Sequence, residues 1–197
     1  MSLRSLALVL LLPAAAAATP MPGYTWFPAG EAYFLAPFRQ AVNFPAGGNT
    51  RTAQTWGFGY RALGDGEGVN RTGGLQFERV TVGNKYLRAQ GAVTVWEAPI
   101  GAEYISARYK DTRLRFTAAG LADIGLCDNT FFIAPMLTAG LLLQDREGTS
   151  LPHGWTLTLY YRFNDAKLDN VKGEEALLRP ALGFRLGYAF PGFWQPK

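Results

Sequence analysis

The chain has 197 residues, 48% hydrophobic, 14% aromatic and only 17% charged, with 23 Gly, one Cys and one His. Its length is that of one domain and its composition is not that of a disordered chain. One Cys and one His exclude an internal disulfide framework and any Cys-rich or multi-histidine metal centre, and a net charge of +4 without a Lys/Arg run speaks against nucleic acid as a partner.

Residues 1–18 open with Arg4, continue through an apolar run from Leu6 to Leu12 and end on alanines after Pro13. This is the pattern of a cleaved secretory signal peptide, and the run is too short for a spanning helix, which needs about 20 residues. The mature chain is expected to begin near Thr19 in an exported compartment, where Cys127 has no internal partner. Residues 19–50, rich in aromatics, Pro and Gly, form an N-terminal extension before the first clear strand. A lid, a plug and an extra strand are all compatible with them.

From residue 51 the sequence alternates with a period of two, as half-buried strands do. Trp56, Phe58, Tyr60 and Ala62 alternate with Thr55, Gly57, Gly59 and Arg61. Further strands are predicted at about 74–82, 87–95, 102–110 and 113–118. In the first of these the apolar face switches from Leu75 and Phe77 to Val80 and Val82, which predicts a bulge near Arg79. The run 131–143 has its bulkier side chains at odd positions. In 155–163, Trp155, Leu157, Leu159, Tyr161 and Phe163 alternate with Thr156, Thr158, Tyr160 and Arg162, and 178–190 repeats the pattern up to Phe190. Eight strands thus occupy 51–190, and 191–197 are a C-terminal tail.

With the first strand running outward, outer loops fall at 64–73, 98–101, 122–130 and 164–175, and inner turns at 83–84, 111–112 and 145–153. Tight turns at one end and longer loops at the other fit a transmembrane barrel. The face opposite the apolar one carries Thr, Gly, Ala, Gln and Arg with few acids and very few lysines, which suits a narrow lumen better than the wall of a soluble barrel. Periodicity alone does not say which face is inside, so a soluble β-protein with an apolar core remains the alternative. The expected fold is all-β, an antiparallel up-and-down transmembrane β-barrel of about eight strands.

The export signal, the alternation, the loop asymmetry and the last strand, Gly183-Phe-Arg-Leu-Gly-Tyr-Ala-Phe190, resemble the small eight-stranded outer-membrane proteins over roughly residues 52–190. That class includes the OmpA and OmpX membrane domains and the lipid A modifying barrels. It usually finishes on a terminal aromatic, whereas here Pro191 to Lys197 follow. The resemblance implies a monomer in the outer membrane of a Gram-negative-type envelope, surrounded by outer-membrane lipid and delivered by periplasmic chaperones and the barrel-assembly machinery. The signal peptide, the eight alternating segments and the absence of a complete catalytic constellation point to a small barrel with a filled polar lumen in a structural or surface-interaction role. Tyr161-Arg-Phe-Asn-Asp-Ala-Lys-Leu168 resembles the C-terminal signature of lipid A deacylases of the acyloxyacyl hydrolase type. There the family's catalytic His falls on Arg162 and its catalytic Ser on Asn164, while Ala166 and Leu168 agree with the family. Arg stays protonated and Asn has no nucleophilic oxygen, so membership would imply an inactive relative.

The same alternation places Arg61, Arg88, Arg113, Arg115, Arg162, Arg179 and Arg185 inward, against few acids, Glu78 and Glu97 among them. Buried arginines must meet carboxylates, carbonyls or anions. They either fill a closed lumen with an Arg–Glu network or, with Arg113, Arg115, Arg162, Arg179 and Arg185 as contacts, hold a phosphate or carboxylate. His153, with Ser150 and Asp145 near it in sequence, is the candidate catalytic set for an enzyme that modifies outer-membrane lipid, a deacylase or acyltransferase. A soluble periplasmic lipid-binding barrel is the third reading. Gly64 to Gly68 lacks the spacing of a calcium or phosphate loop, Asp123, Asp128 and Asn129 fall in an expected outer loop, and neither cofactor nor metal is expected.

Overall fold

The computed structural model describes residues 29–44, 49–64, 66–81, 92–110, 112–127, 130–145, 152–163, 166–168, 176–178 and 181–191. The expected signal peptide and the tail beyond 191 lie outside the described residues. The elements are β1 (Ala29–Phe44), β2 (Asn49–Leu63), β3 (Gly68–Thr81), β4 (Ala92–Ile105), β5 (Leu114–Cys127), β6 (Thr130–Gln144), β7 (Gly154–Arg162), β8 (Ala166–Leu168), β9 (Ala176–Leu178) and β10 (Ala181–Pro191). Sequential neighbours pair antiparallel and β10 closes on β1, so the sheet has no free edge along its wall. β9 holds β1 at Val42 and Asn43 in the register that β10 sets, and β8 pairs with β9. β7–β8 and β9–β10 therefore act as two long strands that run on beside the end of β1. The wall is a closed, eight-stranded antiparallel up-and-down barrel.

The register gives the barrel its shape. Gly30 leads through Ala62, Gly73, Ile100 and Ala122 to Pro135, and the same register carried through β7 and β10 returns to position 40 of β1. A displacement of about ten residues over eight strands sets a strand tilt of about 40°. Circumference and tilt leave an interior just wide enough for side chains to fill.

Burial alternates along the long strands, with charged and polar residues inside and large apolar ones outside. β5, β6 and β7 alternate buried and exposed residues almost without interruption. The exposed set is Trp155, Leu157, Leu159 and Tyr161 on β7, Phe131, Ile133, Leu137, Leu141 and Leu143 on β6, and Leu182, Phe184 and Leu186 on β10. The buried set holds Glu31, Arg61, Glu78, Glu97, Glu103, Arg115, Asp123, Arg162 and Arg185. Allowing for tilt, Trp56, Trp96 and Phe163 stand near one margin of the apolar band and Tyr104, Phe116, Trp155 and Phe190 near the other, roughly 20 Å apart.

The expected number of strands is present with different members. The segment left open between 19 and 50 supplies β1, and the two strands predicted at 87–95 and 102–110 are one, β4, which passes through the expected loop 98–101 without turning. The extra first strand reverses the sense of the next two connections and the merger restores it. The facing ends of β2 and β3, of β4 and β5 and of β6 and β7 lie at the end where β1 begins and β10 finishes, here the terminal end, while those of β1 and β2, of β3 and β4 and of β5 and β6 lie at the far end. The loop at 64 and the turn at 83 are thus exchanged relative to expectation, and those after residue 111 are as expected. No bulge occurs at Arg79: β2 and β3 stay in one register from Gln54–Thr81 to Ala62–Gly73, because Val80 points into the lumen. The irregularity is instead in β1 between Leu35 and Phe38, around Pro37, which has no N–H for the ladder.

Candidate functional site

The lumen is stacked in layers, each built around one arginine. Nearest the terminal end, Arg115 on β5 donates from Nε to Gln144 Oε1 at 3.1 Å and lies 3.5 Å from the half-exposed Glu67 carboxylate. Arg108 donates to the same Gln144 oxygen at 3.0 Å. In the next layer Arg61 is paired with Glu31 and stands 3.0 Å from Glu103, while Thr156 donates its hydroxyl to Glu31 at 2.5 Å.

At mid-barrel the guanidinium of Arg185 lies between two aromatic rings, 4.8 Å from the centroid of Tyr33 and 4.7 Å from that of Tyr160. Such stacking offsets part of the cost of a buried cation. The rings can lie against the wall because Gly59 and Gly183 face them; a Cβ at Gly183 would stand 2.6 Å from Tyr160 Cζ. Tyr33 donates to Gln76 Oε1 at 3.0 Å, and Gln76 donates onward to Glu78 at 2.8 Å and to Glu97. Gln76 thereby ties this layer to the next.

There Arg162 on β7 is paired with Glu97 and lies 3.5 Å from Glu78 and 3.6 Å from Asp123, so three carboxylates surround one guanidinium. Phe132 covers it at 5.7 Å. Beyond this layer the lumen is closed toward the far end by Val42, Ala53, Val80, Val93, Val95 and Cys127, all buried.

Of the arginines expected to line the lumen, Arg61, Arg115, Arg162 and Arg185 do so. Arg113 does not: β5 begins at Leu114, so Arg113 lies outside the ladder, exposed, and donates to the Asp145 carbonyl at 3.3 Å. Arg88 and Arg179 lie outside the described residues. The expected shortage of acids is corrected too, since five buried carboxylates face four buried arginines among the described residues. Glu31 belongs to the unassigned N-terminal segment. Glu103 lies six residues from Glu97 on the same face of β4, and Asp123 lies in β5 rather than in an outer loop. Extending the alternation of 113–118 by five residues would have found it.

No match is found for this chain among protein-family models, curated proteins or solved structures. Its function has to be read from its own geometry.

The second candidate set lies at the terminal end. His153, half-buried, has Nδ1 3.9 Å from Asp145 Oδ2, and Tyr188 donates to that same carboxylate oxygen at 2.6 Å. The His153 ring meets Tyr188 edge-on at 5.7 Å, and Tyr188 meets Trp155 in the same way at 5.3 Å. The β6–β7 turn thus brings His153 and Asp145 together, and Ser150 lies outside the described residues. Asn164, the counterpart of the deacylase serine, also lies outside them. Its neighbour in that signature, Arg162, is held in the lumen by its carboxylates, where it acts as a counter-ion.

Proposed function

We propose that this chain is a monomeric outer-membrane β-barrel with a filled lumen, serving as a structural or surface-interaction protein. One observation carries the reading, the inverted polarity of the barrel. Two dozen large hydrophobic side chains are exposed among the described residues, while nine charged ones are buried. In water the exposed band would be an apolar patch far beyond the few hundred Å² that monomers normally show. In hydrocarbon the same band is the favourable surface, and closure of the sheet satisfies the backbone groups that a bilayer cannot. A band roughly 20 Å tall between its aromatic margins is close to the height of such a wall.

The filled interior argues for a scaffold and against a pore, since buried arginines, carboxylates and an apolar cap occupy the described lumen and eight strands leave little room beyond side chains. A lipid-binding soluble barrel needs the opposite arrangement, an apolar cavity inside a polar wall. The reading as a lipid-modifying enzyme rests on the approach of His153 to Asp145. In the outer-membrane orientation, with both termini inside, that pair faces the periplasm.

The test is membrane fractionation of cells expressing the protein, followed by gel mobility of the detergent extract with and without boiling. The protein is expected in the outer-membrane fraction with a mobility that changes on boiling, and lipid A from the same cells is expected to keep its acyl pattern. A protein released without detergent and showing no shift contradicts the membrane reading; altered lipid A beside a normal shift favours the enzyme.

A further inference from the structure

The four buried arginines each have carboxylate, amide or aromatic partners, whereas Arg39 and Arg79 stand outside the barrel with no carboxylate partner among the described residues. Arg39 on β1 is exposed and Arg79 on β3 is half-buried. Among the described residues no carboxylate lies within ion-pair distance of either. Arg39 opposes Gln54 and Gln54 opposes Thr81, with Arg79 two residues from Thr81 toward the terminal end. Each row climbs toward the far end on passing from β1 to β4, which cancels that offset, so the two arginines sit at one level of the wall.

That level borders the apolar band. Arg79 has Trp56 directly opposite on one side and Thr94 on the other, and it donates from Nη1 to Thr94 Oγ1 at 2.9 Å. The bond lays the guanidinium along the wall and leaves its other N–H groups for an acceptor from outside. Just toward the terminal end, Phe77 packs 5.1 Å from Trp96, 5.0 Å from Phe58 and 6.3 Å from Trp56. Toward the far end come Thr52, Gln54 and Thr81, which hydrogen-bond but carry no charge. Two cations without a carboxylate partner among the described residues, polar side chains beyond them and an aromatic shelf beneath them make a surface complementary to one chemistry, a phosphate attached to acyl chains.

We propose that Arg39 and Arg79, with Gln54 and Thr94, bind the phosphate of a membrane lipid whose acyl chains lie over Trp56, Phe77 and Trp96. The guanidinium fork matches phosphate oxygens, the Thr94 hydroxyl can donate to the same group, and tryptophans at headgroup level anchor the wall. The inference rests on the membrane reading. In that orientation the far end faces outward, and the phosphorylated lipid of that leaflet is lipid A.

The test compares the barrel in detergent micelles with its Arg39→Gln/Arg79→Gln double variant. Both are titrated with lipid A and with lipid A stripped of its phosphates, and bound lipid is read from the mass of the intact complex. The parent is expected to bind lipid A about tenfold or more tighter than the variant does, and to prefer the phosphorylated form by a similar factor. Both proteins should keep the boiling-dependent shift. Equal affinity of parent and variant, no preference for the phosphorylated lipid, or displacement by equimolar inorganic phosphate overturns the site while that shift persists. Loss of the shift in the parent itself strikes the membrane reading instead.

Discussion

Arg162 is the residue on which the interior depends most, because Glu78, Glu97 and Asp123 all lie within 4 Å of a guanidinium that is itself buried. Removing one partner of a buried ion pair leaves an uncompensated charge, at a cost of about 3–5 kcal/mol. Arg162→Ala is therefore expected to lower the unfolding free energy of the reconstituted barrel by about that amount in a urea titration, and Glu97→Gln in the same chain should restore part of it. Unchanged stability of Arg162→Ala would contradict the network. The four lumen arginines were legible in sequence because each falls on the small-residue phase of an alternating strand. Their acids were harder to see: Glu31 precedes the first tidy alternation, and Asp123 sits among Gly120, Ala122 and Gly125, where little contrast marks the two faces. The approach of His153 to Asp145 depends on the return of the β6–β7 turn, which residue spacing does not give.

At the scale of the strand, legibility followed contrast between faces. β7 and β10 are apolar outward and polar or small inward, so their bounds are close to those expected. In β4 both faces are mixed: Val93, Val95, Pro99 and Ile105 face the lumen beside Glu97 and Glu103, while Thr94 and Ala102 face out beside Trp96, Ile100 and Tyr104, so the alternation looks like two strands with a loop between them. In β1 the alternation of Glu31, Tyr33 and Leu35 is broken at Pro37, where the bulge shifts the phase. β1 nevertheless closes the barrel, and closure can be tested without removing a strand. Ala32 and Tyr188 are directly opposed on β1 and β10, and opposed residues have Cβ atoms about 4.5–5.5 Å apart. Ala32→Cys with Tyr188→Cys is expected to form a cross-strand disulfide, visible as a reduction-sensitive change in mobility, whereas Ala32→Cys with Leu182→Cys is not. Equal yields from the two pairs would contradict the β1–β10 register.

For the whole molecule, the physical logic is that of a protein turned inside out. A small lumen cannot be filled by apolar side chains alone when the outer wall already takes most of them, so paired charges fill it in layers, and the apolar valine layer caps its far end. The chain pays the desolvation of nine buried charges and offsets it through mutual pairing, ring stacking and hydrogen bonds. That arrangement is economical only if the outer wall meets hydrocarbon. Sequence periodicity showed two faces and left their assignment open; the closed register and the burial of the arginines assign them. The measurement that tests this most directly is the environment of Leu159, which is 54% exposed near the middle of the band. Leu159→Cys carries a nitroxide in the barrel reconstituted into vesicles, with Cys127, the only native thiol and a buried one, left in place. The account predicts a label relaxed strongly by oxygen dissolved in the bilayer and weakly by a water-soluble nickel chelate; a label reached freely by the chelate would contradict it.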